Sequence, residues 1–202
     1  MRPLIDILHN FHWIAAGEAA RSAQPVLALM PRFLARHGIK SVANLRGAHP
    51  GWKWWRRESR ILAAAGVGHY NVRLSSRRLP ERDLLVALID IYAAAPRPLL
   101  IKCSGGQDRT SLAAALYLVH TRGWGAFDAA AAQFAHFPYL HFPKRHQRWL
   151  RLFLDYAREE AAGAPLQCWL RENYDRDRFA AWLADHGQAG SYRGMLQPRI
   201  RK

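Results

Sequence analysis

Ten residues constrain this chain more than any others: Lys102-Cys103-Ser104-Gly105-Gly106-Gln107-Asp108-Arg109-Thr110-Ser111. They follow a short apolar run, residues 98–101, and open an Ala/Leu-rich run, residues 112–119. Strand, tight polar loop and helix form the setting in which a loop can hold an anion. Backbone N–H groups turn inward, and the helix N-terminus adds partial positive charge. Gly105 and Gly106 are expected to let the backbone take positive φ and approach a ligand closely. Unlike the phosphate loops of nucleotide-binding proteins, this loop begins with a cysteine and ends with an arginine. A thiol at the mouth of such a nest is expected to have its pKa drawn from about 8.5 into the range of about 3.5–7.5, which makes it a thiolate nucleophile. Arg109 offers a planar fork that matches two phosphate oxygens. Thr110 is placed to donate its hydroxyl to the sulfur when the thiolate leaves.

Cys103, five residues and then Arg109-Thr110, with Gly106 third after the cysteine, resembles the signature of cysteine-dependent phosphatases. That superfamily includes protein tyrosine, dual-specificity and phosphoinositide phosphatases. The Asp108-Arg109-Thr110 ending is most similar to the lipid-directed branches (myotubularin-like and Sac-like) and to some bacterial tyrosine/lipid phosphatases. Upstream, Ala20-Arg21-Ser22-Ala23-Gln24-Pro25 and Val42-Ala43-Asn44-Leu45-Arg46 resemble the early strand and the "N-L-R" strand end of bacterial and fungal atypical dual-specificity phosphatases. Together the matches span residues 10–155. The resemblance implies Cys103, Asp108, Arg109 and Thr110 as catalytic residues, with Lys102, Ser104, Gly105, Gly106 and Gln107 binding phosphate.

In tyrosine and dual-specificity phosphatases a movable loop ahead of this strand carries the aspartate that protonates the leaving group. The corresponding stretch here, Ser75-Ser76-Arg77-Arg78-Leu79-Pro80-Glu81-Arg82-Asp83, has serines and arginines in its early part and no carboxylate there. Glu81 and Asp83 fall at the start of the next helix, where first-turn acids are favoured for their own sake. Asp108 is therefore the better candidate acid, as in the lipid-phosphatase branches. A carboxyl beside a bound phosphate dianion is kept protonated by like-charge repulsion. Its alternative role is to accept N–H bonds of the loop. Arg77, near the site, and Arg46, at the C-terminal end of a strand where ligands sit in open α/β sheets, are candidate substrate contacts.

The net charge of +15 points to anionic substrates or partners, although a general enrichment in arginine would produce the same number. No nucleic-acid fold signature accompanies it, and nucleic acid is not an expected partner. The two cysteines, Cys103 and Cys168, have neither disulfide nor zinc spacing and suit a reducing compartment. No cofactor or metal is expected, since the arginine and the amides supply the positive field, and His136, His141 and His146 are read as surface or capping residues. Residues 1–20 lack a continuous apolar stretch of the signal-peptide kind, and no run is long enough to span a membrane. The expected location is cytoplasmic, with the inner membrane face as a peripheral option.

Along the chain, residues 11–17 and 20–23 read as two short strands. A helical pattern runs from Val26 to Leu34 and stops at His37-Gly38. Residues 39–45, 67–74 and 99–102 read as further strands, and residues 84–95 and 110–121 as helices. Residues 127–137, 144–161 and 165–185 complete a helical C-terminal part, followed by a basic, Gly/Pro-rich tail from Gly187 that is expected to be mobile. The stretch Trp52, Lys53, Trp54, Trp55, Arg56 and Arg57 admits two readings. One is an interfacial helix face for an anionic bilayer. The other is the start of a helix to Ala65 with two tryptophans buried and one exposed, which the continuing amphipathic pattern favours.

The expected fold is a three-layer α/β cysteine-phosphatase domain: a short, mostly parallel sheet of four or five strands with helices on both faces and extra C-terminal helices. Residues 1–160 would form the phosphatase domain and residues 161–202 a C-terminal helical extension. The expected activity is phosphomonoester hydrolysis through a cysteinyl-phosphate, on a phosphotyrosine or dual-specificity protein substrate or an anionic phospholipid. The alternatives are a catalytically silent phosphate-binding or anionic-lipid-binding module and a rhodanese-like sulfurtransferase.

Overall fold

A computed structural model describes residues 3–196. Its centre is a five-stranded sheet built from β1 (His12–Ala15), β2 (Ala19–Ser22), β3 (Ser41–Asn44), β4 (Gly68–Asn71) and β6 (Leu99–Lys102). The spatial order is β1-β2-β6-β3-β4. Only β1 is antiparallel to its neighbour; β2, β6, β3 and β4 run parallel. β6 is therefore central and buried along its length: Leu99, Leu100 and Ile101 form the apolar run expected of an inner parallel strand, and Lys102 ends it.

Helices cover both faces. Leu100, Val42 and Ala20 face α2 (Met30–His37) and α3 (Lys53–Ala64), where Met30, Phe33, Leu34 and Leu62 complete one core. Leu99, Ile101, Ala19 and Ala43 face the larger core formed with α4 (Arg82–Ala94), α5 (Asp108–Arg122) and the C-terminal helices. The alternation along β6 sends Lys102 to the α3 side, a point with consequences below. A single turn, α1 (Leu4–Leu8), precedes the sheet.

α5 is buried on almost every face from Thr110 to Val119, which explains why its sequence is nearly uniform in Ala, Leu and Val. After it come α6 (Phe127–Ala132), α7 (Trp149–Ala161), α8 (Leu166–Glu172) and α9 (Arg176–Asp185). Phe153 and Tyr156 of α7 pack edge-on or stacked against Trp169, Tyr174 and Phe179, so residues beyond 160 share the larger core.

Several boundaries differ from the sequence expectation. The helix expected from Val26 begins at Met30, because Pro31 occupies its first turn, where a missing N–H costs nothing. It ends where predicted, with Gly38 in the left-handed conformation. The helix expected over 127–137 stops at Ala132: the carbonyl of Gln133 is drawn to a buried arginine, and Pro138 disfavours helix just before it. The helix expected from Lys144 starts at Trp149, after a 3₁₀ turn, Arg145–Gln147, whose Gln147 side chain accepts the Lys144 N–H. The described part of the tail is not loose. Met195–Leu196 (β7) pairs in parallel with Leu79–Pro80 (β5), and Arg193 N–H donates to the carbonyl of Arg77 over 2.6 Å. Residues 197–202 of that expectation lie outside the described residues.

Candidate active site

The loop from Cys103 to Asp108 leaves the C-terminal end of the central strand and enters α5, so the sulfur sits where the sheet, the loop and the helix N-terminus converge. Cys103 is buried. Burial by itself pushes its thiol pKa up. The nearby Arg109 guanidinium, the Thr110 hydroxyl and the N–H groups of Gly106 and Gln107 more than offset that, leaving the thiol below its ordinary value. Thr110 Oγ1 is buried and has no nitrogen or oxygen partner, which leaves its hydroxyl to the sulfur.

Two buried side chains outside the loop set its shape. Arg21, fully buried on β2, donates through Nη2 to the carbonyls of Gly106 (3.1 Å) and Gln107 (3.4 Å) and to Ser111 Oγ (2.8 Å). Its Nη1 reaches the carbonyl and the Oε1 of Gln133, and Tyr139 lies over the guanidinium at 4.1 Å. Asn10 Nδ2 donates to the same Gly106 carbonyl. Holding these carbonyls outward turns the adjoining N–H groups toward the sulfur. Burial lowers the Arg21 pKa to about 10, so the group stays charged at neutral pH and adds a fixed positive field behind the loop.

Only one of the two loop glycines needs to be glycine for its backbone. Gly106 has φ +65°, and a Cβ there would lie 2.4 Å from Ala23 N and 2.5 Å from the carbonyl carbon of Ser22. Gly105 is not in the positive-φ region, and a Cβ there would meet only the Gln107 side chain at 3.5 Å or more. The expectation of positive φ at Gly105 is corrected accordingly.

Arg109 points back across the loop. Its Nη2 donates to Ser104 Oγ at 2.9 Å and its Nη1 approaches the carbonyls of Leu45 and Leu74 at 3.5 Å. Arg46 lies nearby, its guanidinium 3.6 Å over Trp54 and its Nη1 donating to Gln24 Oε1. Burial and the adjacent Arg109 both lower the Arg46 pKa, while Glu58 and Cys103 act in the opposite sense.

Lys102 is a correction. Its ammonium is not in the cradle but fully buried on the α3 side of β6, 2.6 Å from Glu58 Oε1 and bonded to Gln24 Oε1 and Asn44 Oδ1. Burial lowers its pKa to about 8 despite the carboxylate beside it. The alternation of the strand decides this, because Cys103 follows Lys102 and the two side chains leave opposite faces. Glu58 and Gln24 are the partners that sequence reading missed. A carboxylate on the apolar side of α3 was the available signal.

Asp108, in the first turn of α5, accepts from Gln147 Nε2 at Oδ2 (2.8 Å) and stands 3.3 Å from His141 Nδ1 at Oδ1. His141, expected as a surface or capping residue, is buried against Phe134. Glu81 pairs instead with Arg176, and Asp83 is exposed on α4. The loop that bears them is strapped down: Trp149 Nε1 and Gln147 Nε2 donate to the Ser76 carbonyl and hydroxyl, and Leu79 N–H donates to the Gly194 carbonyl. Ser75 Oγ accepts the N–H groups of Arg77 and Arg78, and Arg77 lines a cleft together with Arg109.

On α3, Trp54 lies under Arg46, Trp55 donates to Asn71 Oδ1, and Trp52 stays 54% exposed, stacked on His49. The helix and the exposed Trp52 fit the packed-helix reading of that stretch, but Trp54 and Trp55 are half-buried rather than buried. Lys53, Arg56 and Arg57 are exposed. Among the described residues no helix is long and apolar enough to cross a membrane, and no cluster of three or more His, Cys, Asp or Glu is placed to hold a metal.

No protein-family model matches the chain, and no curated protein matches it in sequence. Solved structures do match it. TpbA of P. aeruginosa superposes with a TM-score of 0.54 at 20% identity, covering 90% of this chain and 94% of that one. PTPMT1 gives 0.56 at 17% identity over 75% and 98%, and the Siw14 catalytic core gives 0.53 at 20% identity over 89% and 92%. The chain has the cysteine-phosphatase fold.

Proposed function

We propose that this chain is a cysteine-dependent phosphomonoesterase. The observation that carries the reading is the convergence on Cys103 of Arg109, Thr110 and two loop N–H groups, which together lower the thiol pKa against the cost of burial. A thiol merely packed in a core would have its pKa raised.

In the proposed reaction the Cys103 thiolate attacks phosphorus, the bond from phosphorus to the ester oxygen breaks, and Asp108 gives its proton to the departing oxygen. Arg109 and the loop N–H groups, including those of Ser104, Gly105, Gly106 and Gln107, hold the equatorial oxygens as charge builds on them. Water then attacks the cysteinyl-phosphate, Asp108 takes its proton, and sulfur leaves as thiolate toward the Thr110 hydroxyl. Asp108 is preferred to Glu81 and Asp83 because it lies on the loop itself, whereas Glu81 is engaged by Arg176.

TpbA has been crystallised with pTyr, PTPMT1 with PI(5)P, and Siw14 is described as a PP-IP phosphatase. These support a phosphorylated protein or an anionic phospholipid headgroup as the substrate. With a lipid, the exposed Trp52 beside Lys53, Arg56 and Arg57 would supply a peripheral contact with an anionic inner leaflet. A thiolate nucleophile suits the reducing cytoplasm.

Phosphate release from a panel comprising para-nitrophenyl phosphate, a phosphotyrosine peptide and phosphoinositides tests the reading, with Cys103→Ser as the blank. Release by the native chain alone is expected. Equal release by both would remove Cys103 as nucleophile.

A further inference from the structure

Beside the phosphate loop lies a second concavity of about 350 Å³, lined by Arg73, Ser75, Ser76, Arg77, Arg78 and Arg109 together with the apolar Leu74. Its volume is at the lower end of the range for small-molecule sites, about 300–1,000 Å³. Four guanidiniums share it, and its lining contains no carboxylate. Among the described residues no ion pair engages Arg73, Arg77, Arg78 or Arg109. The nearest acids along the chain are turned elsewhere, Glu81 to Arg176 and Asp108 to Gln147 and His141. Like charges gathered in one cleft repel one another, and an anion bound among them removes that cost.

We propose that this cleft is a second anion site, which holds a further phosphoryl group of the molecule whose first phosphate lies over Cys103. The inference rests on the phosphatase reading and narrows its substrate class to headgroups with two or more phosphates. Arg109 belongs to both sites, so the two anions lie side by side on a single ligand. Arginine suits the task because its fork matches phosphate oxygens in pairs. The backbone that bears the cleft is held in place before any ligand arrives. Ser75 Oγ caps the N–H groups of Arg77 and Arg78, Trp149 and Gln147 hold Ser76, and Arg193 N–H holds the Arg77 carbonyl. The backbone of Arg73 is bridged to that of Arg46. A site held in this way loses little freedom on binding.

The test is calorimetric titration of the Cys103→Ser chain with inositol 1,4,5-trisphosphate and with inorganic phosphate. The background is either native or Arg77→Gln/Arg78→Gln, two exposed positions whose replacement leaves the core intact. The trisphosphate is expected to bind at least 100-fold more tightly than phosphate, and the double variant to lose at least tenfold of that affinity while phosphate affinity changes less than threefold. An Arg32→Gln/Arg36→Gln chain, with the same loss of charge on α2, is expected to bind the trisphosphate within twofold of the unaltered chain. Equal losses for both ligands in the cleft variant, or the same loss in the α2 variant, overturn the site. Parallel titration of vesicles containing phosphatidylinositol 4,5-bisphosphate separates the sources. Variant-sensitive binding of the free headgroup supports a soluble ligand, and variant-sensitive binding of vesicles alone supports a lipid one. Trisphosphate binding that depends on the cleft, in a native chain that releases phosphate from no ester, would overturn the phosphatase reading and leave the anion site standing.

Discussion

Gln147 donates to Asp108 Oδ2 over 2.8 Å, and the same nitrogen lies 3.2 Å from Ser76 Oγ. One amide thus ties the candidate acid on the phosphate loop to the arginine-bearing loop ahead of α4. Gln147 meets Oδ2, while His141 stands beside Oδ1 at 3.3 Å. Acid catalysis of this kind is worth about 10²–10⁴-fold. Asp108→Asn should therefore slow an alkyl phosphate by about a hundredfold or more and para-nitrophenyl phosphate, a good leaving group, by less than tenfold. Equal slowing of both would move the acid elsewhere.

Gln147 itself would act by position. Gln147→Ala should lower kcat for the alkyl ester by about tenfold with little change in KM, less than the about 10²–10⁴-fold of losing a general acid outright, because the acid itself is retained. A change confined to KM, or an equal effect on the nitrophenyl ester, would reduce Gln147 to a structural strut.

The thiol makes a pH prediction of definite sign. Because the folded environment lowers the Cys103 pKa, thiolate accumulates as pH rises through a value below that of a free cysteine. The rate of alkylation by iodoacetamide, followed against pH, should show its midpoint there, and Arg109→Gln should move that midpoint upward by removing the main opposing charge. A midpoint at or above that of a free cysteine would sink the assignment.

Adjacent glycines should behave differently. Gly106→Ala places a Cβ against the backbone of Ser22 and Ala23 at a positive φ, so loss of vanadate binding is expected together with destabilisation. Gly105→Ala meets only the movable Gln107 side chain and should retain vanadate affinity within about threefold, a change of at most about 0.7 kcal/mol. Comparable losses at both positions would contradict the loop geometry.

Behind the loop, Glu58→Gln leaves the Lys102 ammonium buried without its counter-charge, which should cost about 3–5 kcal/mol in urea unfolding. Glu58→Leu/Lys102→Met should cost less than the single change, because no buried charge remains unpaired. If Lys102→Met raised KM without altering stability, the lysine would belong to the substrate site after all.

The chain's sequence alone determined the strand, loop and helix around Cys103 and the burial of α5, because each follows from local spacing: an apolar run too short for a helix, glycines at a turn, and a period that changes at Asp108. Local spacing also brought Cys103, Arg109 and Thr110 into one short loop, so their juxtaposition needed no tertiary information. The tertiary structure alone decided what stands behind and around that loop. Arg21 comes from the first hairpin of the sheet and Asn10 from just ahead of it, His141 and Gln147 from the stretch between α6 and α7, all far along the chain from the loop, and nothing near them in sequence marks the carbonyl or carboxylate each meets. Lys102 shows the same division. Its place next to Cys103 in the chain suggested a shared role, yet neighbouring residues of a strand face opposite ways, and only the packing of α3 revealed that its partner is Glu58.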